Sequence, residues 1–157
     1  MEMTGNAGRV LAIDYGRRRL GLAVSDEGRM LARPLETVER VNRRADIARL
    51  RRIARDEGVT QLVVGLPLRL DGTAGEMAAE AREFAERMSK ALRLPVTLVD
   101  ERLTSWEASK GEPTRKDDVW GSRTPAYSKA HRAADGVDSR AAALILEEYL
   151  RGEAERR

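Results

Sequence analysis

The chain alternates short apolar runs with longer amphipathic segments, and this order constrains its fold more than any other feature. Three apolar runs, at 9–15, 20–25 and 30–38, are separated by turn-forming residues, which predicts a three-stranded meander. Pro34 lies inside the third run and cannot donate a backbone hydrogen bond on its side of the strand. We therefore expect the third strand at an edge of the sheet.

Two further apolar runs, at 61–66 and 94–100, each follow a segment with helical spacing. In the first of these segments, Asn42 is a suitable N-cap and Gly58 a suitable stop. Residues 73–76 match a capping box at the start of the second helix. Because right-handed crossovers join parallel strands, the first, fourth and fifth strands should end at the same edge of the sheet.

The C-terminal third contains predicted helices at 103–110 and 138–150, with a polar segment, 111–136, between them. A polar stretch of this length is usually either a functional loop or disordered. The whole pattern predicts an α/β protein with a mixed five-stranded sheet flanked by helices.

The length of 157 residues suits one domain, which we expect over 9–150, with flexible tails at 1–8 and 151–157. No apolar run approaches the roughly 20 residues that a membrane span needs, and the first residues lack the pattern of a signal peptide. We therefore expect a cytoplasmic protein that does not bind a membrane.

Composition limits the chemistry that the chain could carry out. It has no cysteine and a single histidine, His131, which excludes thiolate nucleophiles and argues against zinc sites built on imidazoles. The net charge is +3, and all but four of the 29 basic residues are arginines. Arginine is a good bidentate ligand for phosphate, which suits a polyanionic partner, although solubility or genome composition would explain the bias equally well.

Carboxylates follow two of the predicted parallel strands and begin the last helix. Asp14 closes the first strand, Asp100 and Glu101 close the fifth, and Asp138 lies on the helix stripe that should face the sheet. Carboxylates gathered in one cleft repel one another unless a cation neutralises them, and Mg²⁺ or Mn²⁺ prefers such oxygen ligands. A site of this kind can activate water for phosphodiester hydrolysis.

Each of these residues also has an ordinary structural explanation. Asp14 could begin the turn that follows it, Glu101 could be a solvated charge at a strand end, and Asp138 could serve as an N-cap. Periodicity alone does not choose between Asp100 and Glu101. The carboxylates therefore support a site only as a group.

Basic and aromatic residues occur in two places that suit contact with nucleic acid. There are structural alternatives. The arginines could simply belong to an exposed turn, and the aromatic residues could hold the loop to the body of the protein. The candidates are Arg17, Arg18 and Arg19 beside Asp14, and Arg115, Lys116, Trp120, Arg123, Tyr127, Lys129, His131 and Arg132 in the polar segment.

Four motifs, in this order, carry a resemblance to a known family that covers residues 10–150. They are VLAIDYGRRRLGLAVSD, VVGLPLRLDGTAG, VTLVDERLTSWEA and VDSRAAALIL. The chain resembles the YqgF family of nucleases, which are similar to RuvC and other Holliday junction resolvases and are associated with processing of the 16S rRNA precursor.

The resemblance implies a ribonuclease-H-like fold with three acidic residues that are both catalytic and metal-binding: Asp14, Glu101 and Asp138. It selects Glu101 over Asp100, which the pattern alone could not do. It also implies that the GLP and DGT segments at 65–67 and 71–73 shape the cleft. The segment between Glu101 and Asp138 is longer than expected for the family, which leaves the substrate contacts of this segment open.

The leading expectation is a nuclease that depends on Mg²⁺ or Mn²⁺ and processes the 5′ end of pre-16S rRNA in ribosome biogenesis. Resolution of a branched DNA junction is the alternative with the same chemistry, and a homodimer would suit such a symmetric substrate. A non-catalytic RNA-binding assembly factor is a third reading. An actin-like ATPase shares the D-x-G hairpin but needs two such domains.

Overall fold

The computed structural model describes residues 8–66, 75–100 and 137–156, of which 137, 138 and 156 are described by their backbone only. The helices and strands alternate as the apolar pattern predicts. They are β1 (Arg9–Asp14), β2 (Arg19–Ser25), β3 (Ala32–Glu39), α1 (Arg43–Glu57), β4 (Val59–Leu66), α2 (Glu76–Leu92), β5 (Val96–Asp100) and α3 (Val137–Arg156).

The five strands form one mixed sheet in the order β3-β2-β1-β4-β5. The first three are an antiparallel meander, whereas β4 pairs in parallel with β1 and with β5. The carboxyl ends of β1, β3, β4 and β5 consequently meet at one edge of the sheet. This is the edge at which the sequence predicts the acidic residues, and we call it the catalytic edge. The strand that contains Pro34 lies at the side of the sheet, as expected.

One face of the sheet packs against α1 and α2. Its core includes Ile13, Leu62 and Val64 from the strands, Leu50 from α1 and Phe84 from α2, all at most 2% exposed. Because side chains alternate along a strand, the intervening residues serve the opposite face.

Helix α3 covers that opposite face. Val10, Ala12 and Val63 of the sheet pack with Ile145 and Leu146 of α3, and all five are fully buried. The sheet is therefore buried on both sides, which explains why its central strands are continuously apolar in sequence.

Helix ends confirm some sequence signals and correct another. The Asn42 side chain accepts a hydrogen bond from Ala45 N at 2.8 Å, and Gly58 ends α1 in the left-handed conformation with φ 70°. The predicted capping box at 73–76 is wrong, because the N-cap of α2 is Gly75, which has no side chain to accept a hydrogen bond.

Helix α3 continues past the predicted end at residue 150, so the predicted flexible tail is wrong for residues 151–156. The reason is a tertiary contact. Glu153 Oε2 accepts a hydrogen bond from the Tyr149 hydroxyl at 2.9 Å and lies 3.7 Å from Nη1 of Arg29, whose side chain is only 5% exposed. This contact holds the last turns of the helix against the β2–β3 turn.

The predicted helix at 103–110 and the polar segment at 111–136 lie outside the described residues. In the part of the chain that is described, no helix is long and apolar enough to cross a bilayer.

Candidate active site

Asp14 is the last residue of β1 and belongs to a row of residues that crosses the sheet at the catalytic edge. By the pairing registers, the row runs Thr37, Gly21, Asp14, Gly65, Val99, with one residue from each strand. Val99 packs in the core beneath α3. Because directly paired residues point to the same face, the Asp14 carboxylate lies on the α3 side of the sheet.

Both neighbours of Asp14 in this row are glycines. Gly21 and Gly65 are buried, and Asp14 itself is half-buried. A larger residue at either position would place its side chain beside the carboxylate. The two glycines therefore place no side chain beside the Asp14 carboxylate on the α3 face. The oxygen donors of Asp14 fit Mg²⁺ or Mn²⁺.

The first turn of α3 lies over the same row. Ser139 is 1% exposed, and its Oγ is 3.0 Å from Thr37 Oγ1. Asp138 immediately precedes Ser139, so its backbone also lies at the catalytic edge. Thr37 is two strands from Asp14, a distance of roughly 10 Å. The structure thus brings two of the three predicted acidic residues to one edge of the sheet.

Glu101 lies outside the described residues, directly after the end of β5. Asp100, the other candidate at this strand end, pairs with Leu66. Because Val99 faces α3, Asp100 belongs to the α1 and α2 face.

No cluster of three potential metal ligands forms among the side chains described at 8–66, 75–100 and 139–155. Two of the three predicted ligands, Glu101 and Asp138, fall outside that set.

The turn that follows Asp14 is held from the α2 side by an acidic residue. Arg17 donates two hydrogen bonds to Glu80, at 2.9 and 2.7 Å, and the Tyr15 hydroxyl donates to the same carboxylate at 3.3 Å. The hydrogen bond with Arg17 lowers the pKa of Glu80 and raises that of Arg17. Arg17, a predicted phosphate contact, is therefore paired within the protein, and Arg17, Arg18 and Arg19 are all exposed.

Arg40 supports the same turn and was not singled out in the sequence. Its Nη1 donates to the Gly16 carbonyl at 3.0 Å, and its Nε donates to Asp46 Oδ2 at 3.2 Å. The guanidinium also lies 5.1 Å from the ring centroid of Tyr15 and 5.4 Å from that of Phe84. The only sequence signal for Arg40 was its possible partner, the acidic residue Asp46 in the first turn of α1. In the structure Asp46 is only 3% exposed, and a buried carboxylate needs a cation beside it.

The remaining predicted nucleic-acid contacts lie outside the described residues. They are Arg115, Lys116, Trp120, Arg123, Tyr127, Lys129, His131 and Arg132.

Comparison with known proteins relates the whole described fold to one family. The family model described as "RuvX: Holliday junction resolvase" matches residues 8–152. A protein of Thermosynechococcus vestitus, named as a proposed pre-16S rRNA nuclease, is 43% identical over 141 residues, covering 90% of this chain and 86% of that protein. A protein of Anaeromyxobacter dehalogenans with the same name is 46% identical over 143 residues, covering 90% and 96%.

Solved structures agree on the fold. The Thermus thermophilus RuvC structure in complex with a Holliday junction substrate aligns with a TM-score of 0.56 over 93% of this chain and 96% of that chain, at 15% identity. A second structure of the same RuvC aligns with a TM-score of 0.53 over 94% of this chain and 96% of that chain. Identity this low bears on the fold alone, and it confirms the predicted ribonuclease-H-like arrangement.

Proposed function

Because the chain belongs to the RuvX family, we propose that it is a divalent-metal-dependent nuclease that processes the 5′ end of pre-16S rRNA. This membership confirms the family resemblance of the four motifs and the predicted enzyme class, a nuclease that hydrolyses phosphodiester bonds. The proposal for the site rests on the position of Asp14. Its half-buried carboxylate lies between two glycines at the edge where α3 begins.

We propose Asp14, Glu101 and Asp138 as the residues that hold the metal ions and act in catalysis. The position of Ser139 against Thr37 supports Asp138, because it sets the first turn of α3 over the row that contains Asp14. Strand alternation supports Glu101 over Asp100, since Asp100 belongs to the opposite face of the sheet from Val99.

When bound, Mg²⁺ or Mn²⁺ would supply an activated water and neutralise charge on the phosphate. The protein itself contributes position and shape. Asp14 holds its carboxylate on the rigid end of a central strand, and the two flanking glycines let a phosphate approach the backbone closely. Helix α3 packs on the face of the sheet to which Asp14 belongs.

Arginines next to the site are proposed to contact the substrate backbone. Arg17, Arg18 and Arg19 are the candidates in the first hairpin, and Arg17 would have to leave Glu80 to bind a phosphate. In the polar segment the proposal extends to Arg115, Lys116, Trp120, Arg123, Lys129 and Arg132. The cytoplasm is the proposed location, since the precursor rRNA is the proposed substrate.

Substitution of Asp14 tests the catalytic proposal directly. We expect Asp14→Asn to reduce Mn²⁺-dependent cleavage at least about 100-fold, because a ligand charge is lost while the side-chain shape is kept. Cleavage of a labelled pre-16S rRNA fragment would be followed with Mn²⁺ and with chelator, and thermal unfolding would verify the fold. Cleavage by Asp14→Asn at the wild-type rate would refute the site.

Substrate choice is tested by comparing a pre-16S rRNA fragment, a linear RNA and a four-way DNA junction. The family description favours the junction as the second candidate, and two symmetric cuts would then require a homodimer. Preferential cleavage of the junction by a protein of dimeric mass would replace the rRNA proposal. Salt-sensitive RNA binding without metal-dependent cleavage of any of the three would instead indicate an assembly factor.

A further inference from the structure

A cleft of about 360 Å³ opens on the α1 and α2 face, directly behind the end of β1. We call it the rear cleft. Arg17, Arg40, Arg43 and Arg87 line it, and the Tyr15 ring forms part of its wall. Tyr15 follows Asp14 in the chain, so the rear cleft and the candidate metal site lie on the two sides of the same strand end.

The positive charge of the rear cleft is only partly neutralised. Arg17 and Arg40 are paired with Glu80 and Asp46 at 2.7 and 3.2 Å. Arg87 is 3.9 Å from Glu83, a long pair on a carboxylate that is 72% exposed, and such pairs contribute little.

Arg43 is exposed and forms no ion pair with any described residue. The positive potential comes from these side chains rather than from the end of α1. The Asn42 side chain and carbonyl already accept hydrogen bonds from the first turn of that helix.

The charge around the rear cleft also continues along the surface. Helix α1 carries six arginines against three acidic residues, an excess equal to the +3 net charge of the whole chain. A long polyanion that entered the rear cleft could therefore extend over α1. A compact anion would contact only the rear cleft, whereas a nucleic-acid strand could also contact α1, which favours a strand as the ligand.

We propose that the rear cleft binds backbone phosphates of the nucleic acid that the metal site cleaves, with Arg43 and Arg87 as the phosphate ligands. The inference rests on the proposed function, because the ligand is the substrate of that nuclease. Guanidinium groups bind phosphate oxygens in bidentate geometry, and Arg17 and Arg40 hold the shape of the cleft through their carboxylate partners. The strand would thus be gripped on both sides of the β1 end.

The test measures binding without cleavage. A fluorescein-labelled RNA hairpin with a single-stranded 5′ extension is titrated in EDTA at several salt concentrations with wild type and with Arg43→Gln/Arg87→Gln. We expect binding to weaken about tenfold, and the slope of log Kd against log salt to fall by about two, because two phosphate contacts are lost. Arg43→Gln alone, at an exposed position, should lower the slope by about one.

The matched control is Arg82→Gln/Arg151→Gln, which removes the same charge from exposed positions elsewhere on α2 and α3. We expect less than a twofold change. Equal weakening of RNA binding by this control, or an unchanged salt slope in the cleft variants, would refute phosphate binding in the rear cleft. Because the binding readout is metal-free, the two proposals can fail separately. Binding that depends on Arg43 and Arg87, with no metal-dependent cleavage by the wild type, would contradict the nuclease proposal alone. Cleavage by the wild type, with binding unaltered in the cleft variants, would contradict the rear-cleft proposal alone.

Discussion

Single residues with specific hydrogen-bond partners set the geometry of the turns at both ends of the sheet. Asp26 begins the β2–β3 turn, and its Oδ1 accepts hydrogen bonds from Met30 N and Leu31 N, both at 2.8 Å. These backbone donors, that of Leu31 foremost, lower the pKa of Asp26. The turn is therefore stabilised by an ionised carboxylate.

This dependence gives a prediction for stability against pH. A carboxylate whose pKa is lower in the folded state stabilises the protein above its unfolded-state pKa, and that contribution is lost as the pH falls through the folded-state pKa. We expect Asp26→Asn to cost about 1 kcal/mol at pH 7 and progressively less as the pH falls below about 4. Urea unfolding of both proteins at pH 7, 5 and 3.5 measures the difference. A constant difference across this range would contradict the assignment.

The long-range residue contacts explain what sequence reasoning missed. Asn42 and Gly58 act within one or two turns of chain, so their caps could be predicted from residue type and spacing. Arg40 reaches Gly16 and two aromatic rings because the β1–β2–β3 meander and the packing of α2 bring them together, and no local pattern encodes that meeting.

Among the elements, α3 has the largest role in forming the candidate site, because it covers the face that carries Asp14. Its C-terminal half is anchored by Glu153, which contacts Arg29 and Tyr149. Arg29 in turn donates to the Gly8 carbonyl at 3.1 Å and to Thr60 Oγ1 at 3.2 Å. The helix is thus tied to the end of the sheet opposite the catalytic edge.

We expect Glu153→Ala to destabilise the protein by about 2 kcal/mol, because it leaves the largely buried Arg29 guanidinium without its carboxylate partner. Glu155→Ala, in the same helical turn but exposed, is the control and should change stability by less than about 0.5 kcal/mol. Chemical denaturation of the two variants and the wild type makes the comparison. Equal effects of the two substitutions would show that the anchor contributes nothing specific.

The length of α3 also shows the limit of prediction at this scale. Apolar spacing located the helix and its buried face, but the polar residues 151–156 have the composition of a loose end. They remain helical because Glu153 meets a buried arginine from a distant turn. Such a partner can be identified only once the sheet and helix are packed together.

Across the whole molecule, the sheet separates two surfaces that meet at the catalytic edge. The α3 face carries Asp14 and the first turn of α3, and the α1 and α2 face carries the rear cleft. The order of apolar runs predicted the mixed sheet and the parallel strands correctly, and hence the convergence of strand ends. The face to which each carboxylate belongs depends on the strand register. The apolar pattern is too short at the end of a strand to define that register from the sequence.

The strand register predicts different roles for two adjacent carboxylates, Asp100 and Glu101. Asp100 belongs to the face opposite Asp14, because Val99 packs beneath α3 and side chains alternate. We therefore expect Glu101→Gln to reduce Mn²⁺-dependent cleavage about 100-fold or more, and Asp100→Asn to stay within about threefold of wild type. Single-turnover cleavage of a pre-16S rRNA fragment, at a temperature where both variants are folded, measures the contrast. A larger loss in Asp100→Asn would mean that the acidic site draws on the α2 face, and the assignment of Glu101 would be wrong.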